Sequence, residues 1–91
     1  MGLDSVRRNI EKAGDYLHAG KTRSNMALMY AQAAERENQA SRQRDSLLSA
    51  QAYAEAALRD FKHYQGRAAK EETNAQNLLD LINQALLKLP Q

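Results

Sequence analysis

Ninety-one residues make a single domain (1–91) with a thin core, because 16 of the residues behind the 43% hydrophobic content are alanines. Thirteen basic against eleven acidic residues leave a net charge of +2, too mild to require a nucleic acid or an anionic membrane while permitting either. With no cysteine there are no disulfides or thiolate metal sites, and the cytoplasm is the expected location.

The opening stretch "MGLDSVRRNIEKAG" lacks the apolar core of a signal peptide, and Val6 stands where a myristoylation signal wants Ser or Thr. The longest unbroken apolar run, Met26 to Ala31, has six residues, so no membrane partner is expected. One Pro, four Gly and few β-branched residues predict an all-α chain.

A first helix is expected to be capped by Asp4 or Ser5 and to bury Leu3, Val6, Ile10, Ala13 and Leu17, which alternate spacings of three and four. Gly20 is read as its stop, with Lys21 and Arg23 beside the negative helix end. A second helix restarts near Ser24 or Asn25 and buries Met26, Met29, Tyr30, Ala33 and Ala40. The polar run "ERENQASRQR", Glu35 to Arg44, is either the solvated middle of one long helix or a connection. A break is preferred, followed by a helix capped by Asp45 or Ser46.

The third segment is the most regular, with Leu47, Ala50, Ala54, Ala57, Phe61 and Tyr64 on one stripe, widened by Tyr53 and Leu58. Gly66 marks its end or a kink. A last helix buries Ala68, Ala75, Leu78, Leu79, Ile82, Leu86 and Leu89 and closes before Pro90. The expected architecture is a small antiparallel helical bundle, or stacked helical hairpins, of three to four helices. Ala-rich faces pack helices closely or leave apolar surface for another chain, so a homo-oligomer is among the expected states.

"GDYLHAGKT", residues 14 to 22, comes within one residue of a phosphate-binding loop: five residues, not four, separate Gly14 from Gly20-Lys21-Thr22. Helical periodicity precedes it where that loop needs a strand, so nucleotide binding is not expected. "YLHAGK" (16–21) and "FKHYQGR" (61–67) echo each other, each an aromatic, a His two residues on, then Gly and a basic residue. Shared helix-end chemistry explains the echo without a repeat.

"YLHAGK" followed by "MALMYAQAA" resembles a tetratricopeptide-type helical hairpin, with Tyr16, Gly20, Tyr30 and Ala33 in the matching roles. Over about a third of the chain it is similar to that superfamily, or to related three-helix domains that trap a partner helix. It departs from the pattern at Lys12, Met26 and the missing closing Pro. What the resemblance implies is protein or peptide binding, with no catalysis and no cofactor.

The chemistry-bearing residues agree with that expectation. The two histidines, His18 and His63, would have to meet by tertiary packing to form a metal site, and no Ser or Thr has an adjacent base, so neither an enzyme nor a metal site is expected. Glu71 and Glu72 suit a helix start, and the four tyrosines lie on or beside apolar stripes. In "RDFKHYQGRAAK", Arg59, Lys62, His63, Arg67 and Lys70 face only Asp60. If one helix ran through Gly66, Arg59, His63, Arg67 and Lys70 would line up as one basic stripe suited to phosphates, including those of a nucleic acid, or to an acidic partner. The alternative is a solvated face in which Glu55 pairs with Arg59 and Glu71 with Arg67. The expected function is therefore a small helical adaptor or assembly module binding another protein or a second copy. An accessory nucleic-acid-binding bundle is the alternative.

Overall fold

Between Leu3 and Arg36 the chain has no proline, and its two internal glycines are tolerable inside a helix at a cost of about 0.5–1 kcal/mol each relative to Ala. The computed structural model describes the backbone of residues 3–64 and 68–89, and the side chains of residues 16–64 and 68–89. In it these 34 residues form one continuous helix, α1 (Leu3–Arg36). The expected stop at Gly20 and restart near Ser24 are thus overturned, and α1 begins at Leu3 rather than after an Asp4 or Ser5 cap. The buried positions expected at Leu3, Val6, Ile10 and Ala13 lie outside the described side chains, as does Gly14.

Gly20 has a different task. It is buried, and a Cβ built on it would lie 2.5 Å from Cε1 and 2.8 Å from Cδ1 of Phe61. Such contacts are far inside van der Waals separation, so the missing side chain is the space that the Phe61 ring occupies. A residue that looks like punctuation in the sequence is a notch in a helix face.

Helix α2 (Ala40–His63) starts after a three-residue connection and five residues before the expected Asp45 cap. Its N-cap, Gln39, has an extended backbone (φ −100°, ψ 129°) and makes no side-chain capping bond. The turn is held from inside the helix instead. The Gln43 side-chain amide donates to the Glu37 carbonyl at 2.7 Å, and the Arg42 guanidinium stands 4.0 Å from the Glu37 carboxylate. A break in the polar run is thus correct, and its place is set by these backward reaches rather than by the best capping letter.

Helix α2 ends at His63, where the Tyr64 N–H bonds the Asp60 carbonyl at 3.0 Å. Helix α3 (Ala69–Lys88) carries Glu71 and Glu72 in its first turn, favourable to the helix dipole, and stops at Leu89. Gly66, Arg67 and Pro90 lie outside the described residues. Three helices and no strand make up the described residues, an all-α structure.

Contacts between α1 and α2 pair residues in opposite order along the chain. Tyr16 meets His63, Gly20 meets Phe61, Arg23 meets Asp60 and Tyr30 meets Tyr53. Small residues line this seam: Ala27, Ala50, Ala54 and Ala57 are completely buried and Ala34 nearly so. On α1, Gly20, Ala27 and Ala34 repeat every seven residues, as do Leu47, Ala54 and Phe61 on α2. This is the period of helices crossing at a shallow angle, and small side chains on it let the two backbones approach. The tyrosine rings of residues 30 and 53 stack across the seam, centroids 5.5 Å apart and 10° from parallel.

The core stripes expected for α2 and α3 are observed. Leu47, Ala50, Ala54, Ala57, Leu58 and Phe61 are buried on α2, and Ala75, Leu79 and Ile82 on α3. The stripe expected around Met26 is met in part: Met26 and Tyr30 are half-buried, Met29 and Ala33 are exposed, and Ala27 and Ala34 are the buried positions. Continuity through Gly20 is the cause, because it locks the helical phase to the Phe61 notch. Seven of the twelve buried apolar residues described are alanines, so the core is as thin as composition predicts.

Candidate functional site

Helices α1 and α3 both rest on α2 but touch each other little, and a groove runs between them. One recess, about 490 Å³, is lined by Lys21, Ser24 and Leu28 of α1, Phe61 of α2, and Glu71 and Leu78 of α3. A second, about 310 Å³, is lined by Leu28, Ala31 and Glu35 of α1, Leu47 of α2, and Leu78 and Leu81 of α3. Leu28 and Leu78 belong to both, so the two recesses are halves of one groove. Along α1 it runs from Lys21 to Glu35, about 21 Å at the helical rise.

Its middle is apolar and open to solvent, with Leu28 45% and Leu81 62% exposed. Its ends are polar. At the Phe61 end, Lys21, Asn25, Glu71 and Asn74 ring the recess, and Ser24 Oγ is buried with no hydrogen-bond partner among the described residues. At the other end stand Gln32, Glu35 and Gln43. Leu28 and Leu81 were not among the apolar positions expected from the sequence. A signal does exist in the repeat Lys21, Leu28, Glu35 at intervals of seven, which shares a helix face only once α1 is continuous.

The candidate basic residues do not lie on one helix. Helix α2 ends at His63, so the single helix through Gly66 that would have aligned Arg59, His63, Arg67 and Lys70 does not form. His63 packs on the Tyr16 ring at 5.4 Å, and Arg59 lines a shallow recess with Arg23, Tyr53 and Asp60. Lys62 is exposed on α2 and Lys70 on α3, while Arg67 lies outside the described residues.

Beside Arg59, Asp60 is the one buried charged side chain described, 6% exposed as a residue. It accepts a short hydrogen bond from the Arg23 guanidinium, which is itself about half in solvent. The pair ties α1 to α2 three residues from Gly20. No group of three or more His, Asp or Glu placed to hold a metal ion occurs among the described residues. No helix among them is long and apolar enough to cross a membrane.

The residues of the tetratricopeptide resemblance, Tyr16 to Ala33, all lie on α1, so the expected Gly20–Lys21 turn is not made there. Comparison with known proteins returns no matching family model, no similar curated protein and no similar solved structure, which leaves the groove and its residues as the ground for a functional reading.

Proposed function

We propose that this chain is a non-enzymatic protein–protein interaction or assembly module, a small helical adaptor that takes a helix of its partner into the α1–α3 groove. The three helices are read as an antiparallel up-down-up unit in which the fourth position of a bundle is vacant. One observation carries this reading: the groove has Leu28 and Leu81 exposed along its apolar middle and polar groups at both ends. A span of about 21 Å matches roughly 14 helical residues, enough for apolar anchors at i, i+3 or i+4, and i+7. Nucleic-acid binding through the basic residues has less behind it, since their alignment on one helix is not formed.

The test is selection from a displayed library of 14-residue amphipathic helices. Helices that bind the wild-type chain at micromolar concentration, and lose about tenfold or more on Leu81→Glu with an unchanged circular dichroism spectrum, support the groove. Binding that is indifferent to Leu28→Glu and Leu81→Glu overturns it. Retention on DNA that falls steeply with salt and vanishes on substituting Arg59, Lys62 and Arg67 by Ala would favour the nucleic-acid alternative.

A further inference from the structure

Resting on the reading of the groove as a docking face, we infer that its occupant is a second copy of this chain, seated about a two-fold axis that passes Leu28. The argument is charge complementarity. On the α1 wall Lys21, Leu28 and Glu35 are spaced by seven residues, so the cation and the anion lie equidistant from an apolar centre. When two such walls cross antiparallel at Leu28, Lys21 of each copy stands opposite Glu35 of the other. A parallel crossing sets Lys21 against Lys21 and Glu35 against Glu35, so the pattern selects one orientation.

Neither Lys21 nor Glu35 makes an ion pair within its own chain among the described residues, and both side chains are exposed. The apolar part is self-complementary as well. Leu28, 45% exposed on the α1 wall, faces Leu78 and Leu81 across the groove, and about the two-fold axis Leu28 of each copy enters the groove of the other, an isologous and therefore closed contact. Glu71, at the Lys21 end, opposes an incoming Glu35 and weakens the pairing. The face is short, so the association belongs at the weak end of the scale, in the micromolar range.

Sedimentation equilibrium of the full chain tests this. The wild type is expected to dimerise reversibly, more weakly in 1 M salt. Lys21→Glu and Glu35→Lys should each weaken the dimer about tenfold or more, because each creates two like-charge contacts. Mixing the two variants should restore association, since Glu at 21 then meets Lys at 35 and the reverse, and the double variant should dimerise by itself. Glu71→Gln should tighten the wild-type dimer. All these positions are exposed or half-exposed, and matching circular dichroism spectra secure the fold of each variant. A monomer at about 500 μM, dimers indifferent to the charge swaps, or a mixture that stays monomeric would overturn the inference. A monomeric chain that still binds helices from the displayed library removes the second copy as occupant and leaves the docking face. A chain that does neither removes both.

Discussion

Helix α1 meets its two neighbours in opposite ways. Toward α2 it offers Gly20, Ala27 and Ala34, and all three are buried, Gly20 against the Phe61 ring. Toward α3 it offers Leu28 and Ala31, and α3 answers with Leu78 and Leu81 across a gap that nothing fills. Close packing of small groups gains little transfer free energy per residue, but it brings backbones together and leaves no void. Large groups across an open groove gain little until something is placed between them. The difference teaches that residue size alone does not mark the core. Among the described residues seven of the twelve buried apolar side chains are alanines, while Leu28, Leu48, Leu81 and Leu87 are exposed.

The sharpest way to break the closed seam is to fill the Gly20 notch. Gly20→Leu places a branched side chain where the 3%-exposed Phe61 ring already sits, and is expected to cost about 3 kcal/mol or more in urea unfolding. Gly20→Ala sets the same clash against the roughly 0.5–1 kcal/mol that Ala gains over Gly inside a helix, so a net loss of about 1 kcal/mol is expected. Adding Phe61→Leu should make the pair less destabilising than the sum of its singles. Were Gly20 a left-handed helix stop, Gly20→Ala would also destabilise, so the discriminating result is the coupling to Phe61, which a stop would lack.

The Arg23–Asp60 pair gives a second, smaller test, because its two ends differ in exposure. Arg23→Ala leaves a buried carboxylate without its partner, at about 1–3 kcal/mol. Asp60→Ala removes the buried charge and leaves Arg23 about half in solvent, free to hydrate, so it should cost less. An Asp60→Ala variant less stable than Arg23→Ala in the same unfolding assay would show that the seam depends on the carboxylate rather than tolerating it.

The stripes of α2 and α3 were legible in the sequence because they repeat without interruption, and burial of Leu47, Ala54, Phe61, Leu79 and Ile82 follows from the spacing. Helix α1 was not legible past Gly20, for a physical reason. Glycine inside a helix and glycine after one look alike in sequence, and what separates them here is an aromatic ring 41 residues away. The two echoing stretches make the point directly. "YLHAGK" is the interior of α1, whereas "FKHY" closes α2, and the two pack on each other through Tyr16 with His63 and Gly20 with Phe61. The misplaced stop moved the helical phase, put Met29 and Ala33 inside, and hid the face shared by Lys21, Leu28 and Glu35. The groove could not be read until that phase was right.

On the open side the expected effect on stability is the smallest. Leu28→Glu and Leu81→Glu replace side chains that are already 45% and 62% exposed, and each should move the unfolding free energy by no more than about 0.5 kcal/mol. The same exchange at Leu79, 8% exposed and two residues from Leu81 on the opposite side of the helix, buries a carboxylate and should unfold the chain at modest urea. The contrast between neighbouring leucines on α3 isolates what the groove is for. If Leu81→Glu were as damaging as Leu79→Glu in the isolated chain, Leu81 would belong to the fold. If it leaves the fold untouched and removes binding or self-association, its apolar surface is maintained for a partner.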